Sequence, residues 1–216
     1  MVTFSDNDEF EPVRRALRGG GIALLPTETV YGLAANAQDG AAINALYSLK
    51  GRSFSKPLAL CVRSIDTARQ LVHWTDTAEE LAQHFWPGPL SLVLPAKDRL
   101  TFDPRLFGRF DDGGRSLSLR CPDIGWRDQL DVDFLALTSA NISGQPDIVD
   151  FKSAKAIFGA SVIGLNEDAS SPRKPSVMGQ PSTIISLGHN SPLRCLRWGA
   201  LGPEDFAPFS LEWAIK

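Results

Sequence analysis

The fold turns on residues 22–37, Ile22-Ala23-Leu24-Leu25-Pro26-Thr27-Glu28-Thr29-Val30-Tyr31-Gly32-Leu33-Ala34-Ala35-Asn36-Ala37. The first four residues form a short apolar run suited to a buried strand. The stretch that follows, PTETVYGLAANA, is too rich in Pro, Thr and Gly to read as a core strand and is expected to be a loop. A polar loop leaving the carboxyl end of a buried strand is where open α/β sheets bind their ligands. Upstream, Phe10, Val13 and Leu17 recur at helical spacing, and Gly19-Gly20-Gly21 end that helix before the strand begins. Downstream, Asp39 is placed to cap a helix with Ala42, Ala45, Leu46 and Leu49 on one face, which runs out at Lys50-Gly51-Arg52.

The alternation of strand and helix continues outward. PLALCV (57–62) reads as a strand, followed by helices over 64–72 and 76–86, the second with Asp76 and Glu79 at capping-box spacing. WPGP (86–89) forces a break before the strand LSLVLPA (90–96). Residues 97–114 read as a long polar connection. RSLSLRC (115–121) alternates like a strand, and FLALT (134–138) is a short buried one that runs into the polar turn SANISGQPD (139–147). A helix near 153–159, a strand VIGLN (162–166), a loop over 167–181 and the strands STIISL (182–187) and LRCLRW (193–198) complete the pattern. Helices alternate with strands first and strands pair off later. This predicts an α/β fold, a single domain over 1–216 on a twisted, mixed open sheet with flanking helices. The core spans about 10–200, with 201–216 as a C-terminal extension in which Phe209 and Trp213 mark a docking point.

With 216 residues, 43% hydrophobic and 22% charged, the chain is neither disordered nor a disulfide mini-protein. Lys and Arg number 22 against 25 acidic residues, a net charge of −3, so any basic site must be local. No apolar run reaches the 18 or so residues of a membrane span and the start lacks a signal-peptide pattern, so a cytoplasmic location without membrane partners is expected. Cys61, Cys121 and Cys195 lie in separate apolar runs and read as reduced, buried thiols. His73, His84 and His189 are scattered, with no metal-ligand spacing, and none sits in a polar or Gly-rich loop that would expose a catalytic base.

There is no Walker A loop, no dinucleotide fingerprint and no G-x-S-x-G elbow. Instead, cations and small polar residues gather where strands and helices end: Lys50, Arg52 and Lys56 in KGRSFSK, Arg120, Ser139-Ala140-Asn141, Ser182-Thr183 and Arg197. Taken singly, each suits a helix end, a good turn or a solvated strand end. Together they form a donor set suited to phosphates and a carboxylate. A phosphate-bearing substrate held without a P-loop follows from the residues alone.

The ordered motifs Pro26-Thr27-Glu28-Thr29-Val30-Tyr31-Gly32-Leu33, Lys50-Gly51-Arg52, Lys56-Pro57-Leu58, Trp86-Pro87-Gly88-Pro89-Leu90, Arg120-x-Pro122, Ser139-Ala140-Asn141-x-Ser143-Gly144, Ser182-Thr183 and Leu196-Arg197-x-Gly199 closely resemble the YrdC-like family of L-threonylcarbamoyladenylate synthases. The resemblance runs from about residue 10 to 200. It implies a YrdC-like sheet, similar to dihydroxybutanone-phosphate synthase, with a concave basic surface. It also implies a nucleotidyl transfer in which L-threonine, bicarbonate and ATP, with Mg²⁺, give L-threonylcarbamoyl-AMP and pyrophosphate. That product serves N6-threonylcarbamoylation of adenosine 37 in tRNA through a downstream transfer complex, with tRNA or double-stranded RNA as further partners.

Carried over by residue, the resemblance puts Lys50, Arg52, Ser139 and Asn141 around the nucleotide phosphates as catalytic groups. Lys56, Ser116, Asp147 and Arg197 extend the ATP site. Thr29, Arg120, Leu137 and Ser182 form the threonine site, with Thr27 and Tyr31 shaping its floor, and no metal is held by protein ligands alone. Three departures stand out: Cys61 where larger relatives commonly have histidine, Asp147 where a small hydroxyl residue is frequent, and a longer loop 167–181 in which Arg173 and Lys174 could form a lid or reach tRNA. An RNA-binding module of the same fold, with Arg105, Arg109 and Arg115 as contacts, and a YciO-type paralogue are the competing readings.

Overall fold

A computed structural model describes residues 9–159, 162–166, 179–188, 192–209 and 213. The segments follow one another as α1 (Glu11–Arg18), β1 (Ala23–Leu25), β2 (Gly32–Asn36), α2 (Gly40–Lys50), β3 (Ala59–Cys61), α3 (Ile65–Leu71), α4 (Asp76–Phe85), β4 (Leu90–Pro95), β5 (Phe107–Arg109), β6 (Arg115–Arg120), β7 (Leu135–Ser139), α5 (Phe151–Phe158), β8 (Ile163–Gly164), β9 (Thr183–Ser186) and β10 (Arg194–Arg197). The strands form one open sheet in the order β10-β9-β4-β6-β3-β7-β2-β1-β8, and β5 pairs with the first half of β6 where β3 leaves off. Parallel pairs (β3 with β6, β4 with β9, β1 with β8) are interspersed among antiparallel ones. The expected mixed open sheet with flanking helices is what the chain forms.

Side-chain alternation decides what each face of the sheet does. On one face Leu33 and Ala35, Leu60, Leu92 and Leu94, Leu117 and Leu119, Ala136 and Ile185 join a core with Ala42, Ile43 and Leu46 of α2 and Ala78, Leu81 and Ala82 of α4. Among the described residues the other face is covered toward β1, β2 and β7 and at Cys61 of β3, where Ala23, Leu25, Ala34, Leu135 and Leu137 pack with Val13 and Leu17 of α1 and with Ile124, Trp126 and Leu130. From β4, β6 and β9 that second face carries Ser91 and Val93, Ser116, Ser118 and Arg120, and Ile184 and Ser186, which line hollows instead. Half of one sheet face is therefore left as a concave polar floor.

Three sequence expectations change. The stretch 26–37 is a loop only as far as Tyr31; Gly32–Asn36 is β2, paired with both β1 and β7. Gly32 permits this, because a Cβ there would meet Leu137 Cδ1 at 2.8 Å. In α2, Asp39 caps as expected, accepting from Ala41 and Ala42 N–H, but the buried stripe is Ala42, Ile43, Leu46, Tyr47 and Lys50, with Ala45 exposed. α4 is capped by Thr75, whose side chain accepts from Ala78 N–H, one residue before Asp76. The segment after Gly199 docks through Phe206, buried against Phe85, with Phe209 beside His84. Cys61 and Cys121 are buried and Cys195 is half-buried. Loop residues 167–178, with Arg173 and Lys174, and His189 lie outside the described residues. Among the described residues no helix is long and apolar enough to cross a membrane.

Candidate active site

The loop after β1 is shaped by one hydroxyl. Thr27 Oγ1 donates to Val30 O (2.6 Å) and accepts from the N–H groups of Thr29 and Val30 (3.2 Å each), closing a tight turn. Its single proton is thus engaged, so in the 2.8 Å contact between the two hydroxyls Thr29 is the donor. Thr29 Oγ1 is left to accept from Arg120 Nη2 (2.9 Å). Trp126 Nε1 donates to Pro26 O (2.6 Å) and pins the start of the turn, while Tyr31 N–H bonds Ile148 O and Tyr31 O accepts from Ala140 N–H.

Arg120 ends β6 and is buried. Its Nη2 donates to Glu28 Oε1 and to Thr29 Oγ1, both at 2.9 Å, and Nε reaches Gly88 O at 3.4 Å. A guanidinium has five N–H donors. The two on Nη1 meet no protein acceptor among the described residues, and Arg120 forms part of a cavity wall.

In the lining of the same cavity, Arg197 Nε and Nη2 donate to Ser182 O at 3.1 and 2.7 Å, and Ser182 Oγ lies 2.9 Å from Ser91 Oγ. Gly199 makes this arrangement possible: a Cβ there would stand 2.1 Å from Pro181 O and 2.9 Å from the Ser182 carbonyl carbon. Thr183 Oγ1 accepts from Gly199 and Leu201 N–H, which holds the strand return against β9.

The third group comes from the end of α2. Lys50 is buried and its ammonium donates to Asn141 O (2.7 Å), Asn141 Oδ1 (2.8 Å) and Ser139 O. Ser139 Oγ donates to the same Asn141 Oδ1 (2.8 Å), and Asn141 Nδ2 donates to Gln145 O. Lys50 therefore holds the Ser139-Ala140-Asn141 turn in place and has no N–H left to offer a ligand. Burial, reinforced by the nearby Arg52 charge, pushes its pKa down to about 8, with Asp147 opposing. Arg52 is fixed by Nε to Lys56 O (2.9 Å) and Nη2 to Pro57 O (3.0 Å).

These groups surround a cavity of about 120 Å³. Thr27, Tyr31, Arg52, Arg120, Leu137, Ser139, Ser182 and Arg197 line it, so eight of the residues expected from sequence meet at one place. Thr29, Lys50 and Asn141 stand behind its wall as supports. A larger hollow of about 920 Å³, lined by Phe54, Phe107, Phe110, Ser116, Arg194 and Leu196 among others, adjoins it through Pro57, Ser118 and Ile184, which line both. Ser116 belongs to this second hollow, while Lys56 is exposed and lines neither. Asp147 is half-buried and acts electrostatically on Lys50 and Arg197.

Three guanidiniums face the small cavity. Arg197 is held below the usual guanidinium value by burial; Asp147 counters that shift, and Arg120 and Arg52 add to it. Mutual repulsion of fixed cations is relieved by an anion, so the geometry favours carboxylate and phosphate groups. Cys61 contributes no charge, because burial pushes its thiol up to about 12. Sequence reasoning passed over Glu28, Ser91 and Ser118. The signal for the two serines lies in LSLVL and RSLSLR, where polar residues alternate with leucines in central strands and so mark a sheet face that is not core.

The profile of the Sua5/YciO/YrdC domain, described as telomere recombination, matches residues 15–199. A protein of Mycobacterium leprae provisionally named threonylcarbamoyl-AMP synthase is 38% identical over 195 residues, covering 89% of this chain and 83% of its own. Relatives from Pyrococcus abyssi, Bacillus subtilis and Mus musculus carry the synthase name outright. The crystal structure of P. abyssi Sua5 complexed with L-threonine superposes with a TM-score of 0.80 at 29% identity, covering 94% of this chain and 57% of that one. Escherichia coli YciO shares the fold at a TM-score of 0.71 and 18% identity, covering 92% and 91%. Motif order, sheet topology and the sequence match over 15–199 agree, and the chain belongs to the Sua5/YciO/YrdC family.

Proposed function

We propose that this protein is an L-threonylcarbamoyl-AMP synthase. The observation that carries the reading is the small cavity walled by Arg52, Arg120 and Arg197 and adjoining a hollow large enough for a nucleotide. Sites for drug-sized ligands run to about 300–1,000 Å³. The inner cavity is below that range and suits a small amino acid, while the outer hollow falls within it.

In this reading the α-carboxylate of threonine lies on the open Nη1 edge of Arg120, Ser182 and Ser91 present hydroxyls near it, and Thr27 shapes the floor. The amine nitrogen bonds to the bicarbonate carbon with loss of water, giving a carbamate. A carbamate oxygen then attacks the α-phosphorus of ATP, the bond from that phosphorus to the bridging oxygen breaks, and pyrophosphate leaves. No protein nucleophile takes part. The protein contributes alignment of anionic reactants and fixed positive charge where negative charge builds. Arg52 and Arg197 supply that charge, Ser139 and Asn141 present the turn that Lys50 holds, and Ser116 lines the hollow assigned to the nucleotide; the roles of Lys56 and Asp147 rest on the family resemblance.

Among the described residues no group of three His, Cys, Asp or Glu side chains is placed to hold a metal ion. Mg²⁺ belongs to the substrate in this reading, carried on the ATP phosphates. The product is the donor for N6-threonylcarbamoylation of tRNA adenosine 37 by a separate transfer complex.

The test is rescue of a strain lacking its own synthase, scored by the modified nucleoside in its tRNA. Restored modification is expected from the wild type. Arg120→Ala, produced at the same level, is expected to leave the nucleoside missing. Absence of the nucleoside with the wild-type chain contradicts the reading and returns the protein to the YciO-type alternative.

A further inference from the structure

Glu28 has no part in the reaction described above and does not itself line the small cavity, yet it is buried behind Arg120, which does, with one oxygen bonded to Arg120 and the other, Oε2, without a hydrogen-bond partner among the described residues. Buried ion pairs add little to stability, and an unsatisfied buried oxygen detracts from it, so the pair calls for another explanation. Its geometry supplies one. Trp126 fixes Pro26 O and Thr27 fixes the turn that follows, so Glu28 leaves a rigid backbone. From there Oε1 takes one proton of Nη2 while Thr29 Oγ1 takes the other, and Nε points at Gly88 O. Contacts on Nη2 and Nε define the plane of a rigid guanidinium and, among the described residues, leave Nη1 as the edge without a protein acceptor.

Charge gives the second half of the argument. Three guanidiniums at one small cavity would attract any phosphate, and phosphates accompany ATP and pyrophosphate. Glu28 is the carboxylate paired with these cations at 2.9 Å, and it offsets Arg120 alone. Arg120 is left able to take the carboxylate of a zwitterion without making this end of the cavity a phosphate site.

Resting on the synthase reading, we propose that Glu28 is a positioning and specificity-determining residue: it aims Nη1 of Arg120 at the amino-acid carboxylate and, by offsetting that cation, keeps phosphate out of the threonine pocket. Glu28→Gln retains an oxygen that accepts from Nη2 but removes the charge, whereas Glu28→Asp retains the charge but falls one methylene short of Nη2. Calorimetric binding of L-threonine and of inorganic phosphate to folded wild type and both variants needs no turnover.

Glu28→Asp is expected to weaken threonine binding at least tenfold while phosphate stays excluded. Glu28→Gln is expected to bind threonine within a few-fold of wild type but to gain phosphate binding that competes with threonine. A merely structural role lowers the melting temperature and moves neither ligand. Folded variants with wild-type threonine affinity and no new phosphate competition overturn the proposal, and so does loss of threonine binding in both variants with phosphate unchanged. A wild type that binds no threonine overturns the synthase reading and this proposal together.

Discussion

Lys50 carries a charge that the fold keeps dry, and that charge is tied to one turn. It was legible in sequence as a cation at a helix end; its burial was not, because a lysine in the apolar stripe of α2 is visible only once Ser139 O, Asn141 O and Asn141 Oδ1 are brought to it. Its pKa near 8, against 10.5 for an ordinary lysine, gives opposite pH effects on stability and on activity. Between about 8 and 10.5 the unfolded chain binds more protons than the folded one, so this group makes the fold more stable as pH rises. Below about 8 both forms are protonated and the burial cost is constant. Over the same rise the amine loses one of the three N–H groups that hold the turn. Synthase kcat/KM for ATP is expected to fall through a single ionisation near pH 8 without a matching loss of thermal stability from this group. Lys50→Met is expected to lack that step and to lie about tenfold lower at pH 7, roughly 1.4 kcal/mol. A pH–rate series on the two proteins checks this. Arg52→Ala, which removes a cavity cation, is expected to lower turnover by at least about tenfold, with steady-state kinetics as the check.

At the scale of elements, β2 shows what patterning leaves out. The polar residues of 26–31 make a loop, but Gly32–Asn36 is a strand, because an interior strand beside β7 needs small residues more than β-branched ones. Periodicity cannot report that need. RSLSLR was legible as a strand, and its serines carried a message that becomes clear only when the leucines are seen to take the covered face. The return from β10 onto β9 depends on Gly199. Gly199→Ala places a methyl against backbone at Pro181 and Ser182, which cannot yield without moving Ser182 and Arg197. The expected cost is about 1–3 kcal/mol. In a domain of this size that is roughly 2–4 °C of melting temperature per kcal/mol. A rise in threonine KM should accompany it, and thermal melts with kinetics on the same samples provide the check.

For the whole molecule, the near balance of 22 basic and 25 acidic residues conceals a division of labour. Outside the cavity several cations are matched locally: Arg105 with Asp103, Arg194 with Asp111, Arg18 with Glu11 and Asp131, and Arg69 with Asp66 and Glu79. Arg115 stacks on Phe107 and Arg109 donates to Gly113 O. The residues that made an RNA-binding module conceivable are thus largely engaged. Binding of unmodified tRNA is expected to be no tighter than about 10⁻⁶ M at physiological salt, within the non-specific range, as anisotropy across a salt series would show. The cavity draws on residues of seven strands and on the segment just past α2, far apart in the chain, which is why its residues were legible singly and its shape was not. The most direct measurement is pyrophosphate release by the purified protein given ATP, Mg²⁺, bicarbonate and L-threonine. The account predicts release that requires both threonine and bicarbonate and yields threonylcarbamoyl-AMP by mass spectrometry. Release independent of threonine, or none where an established synthase is active, would contradict it.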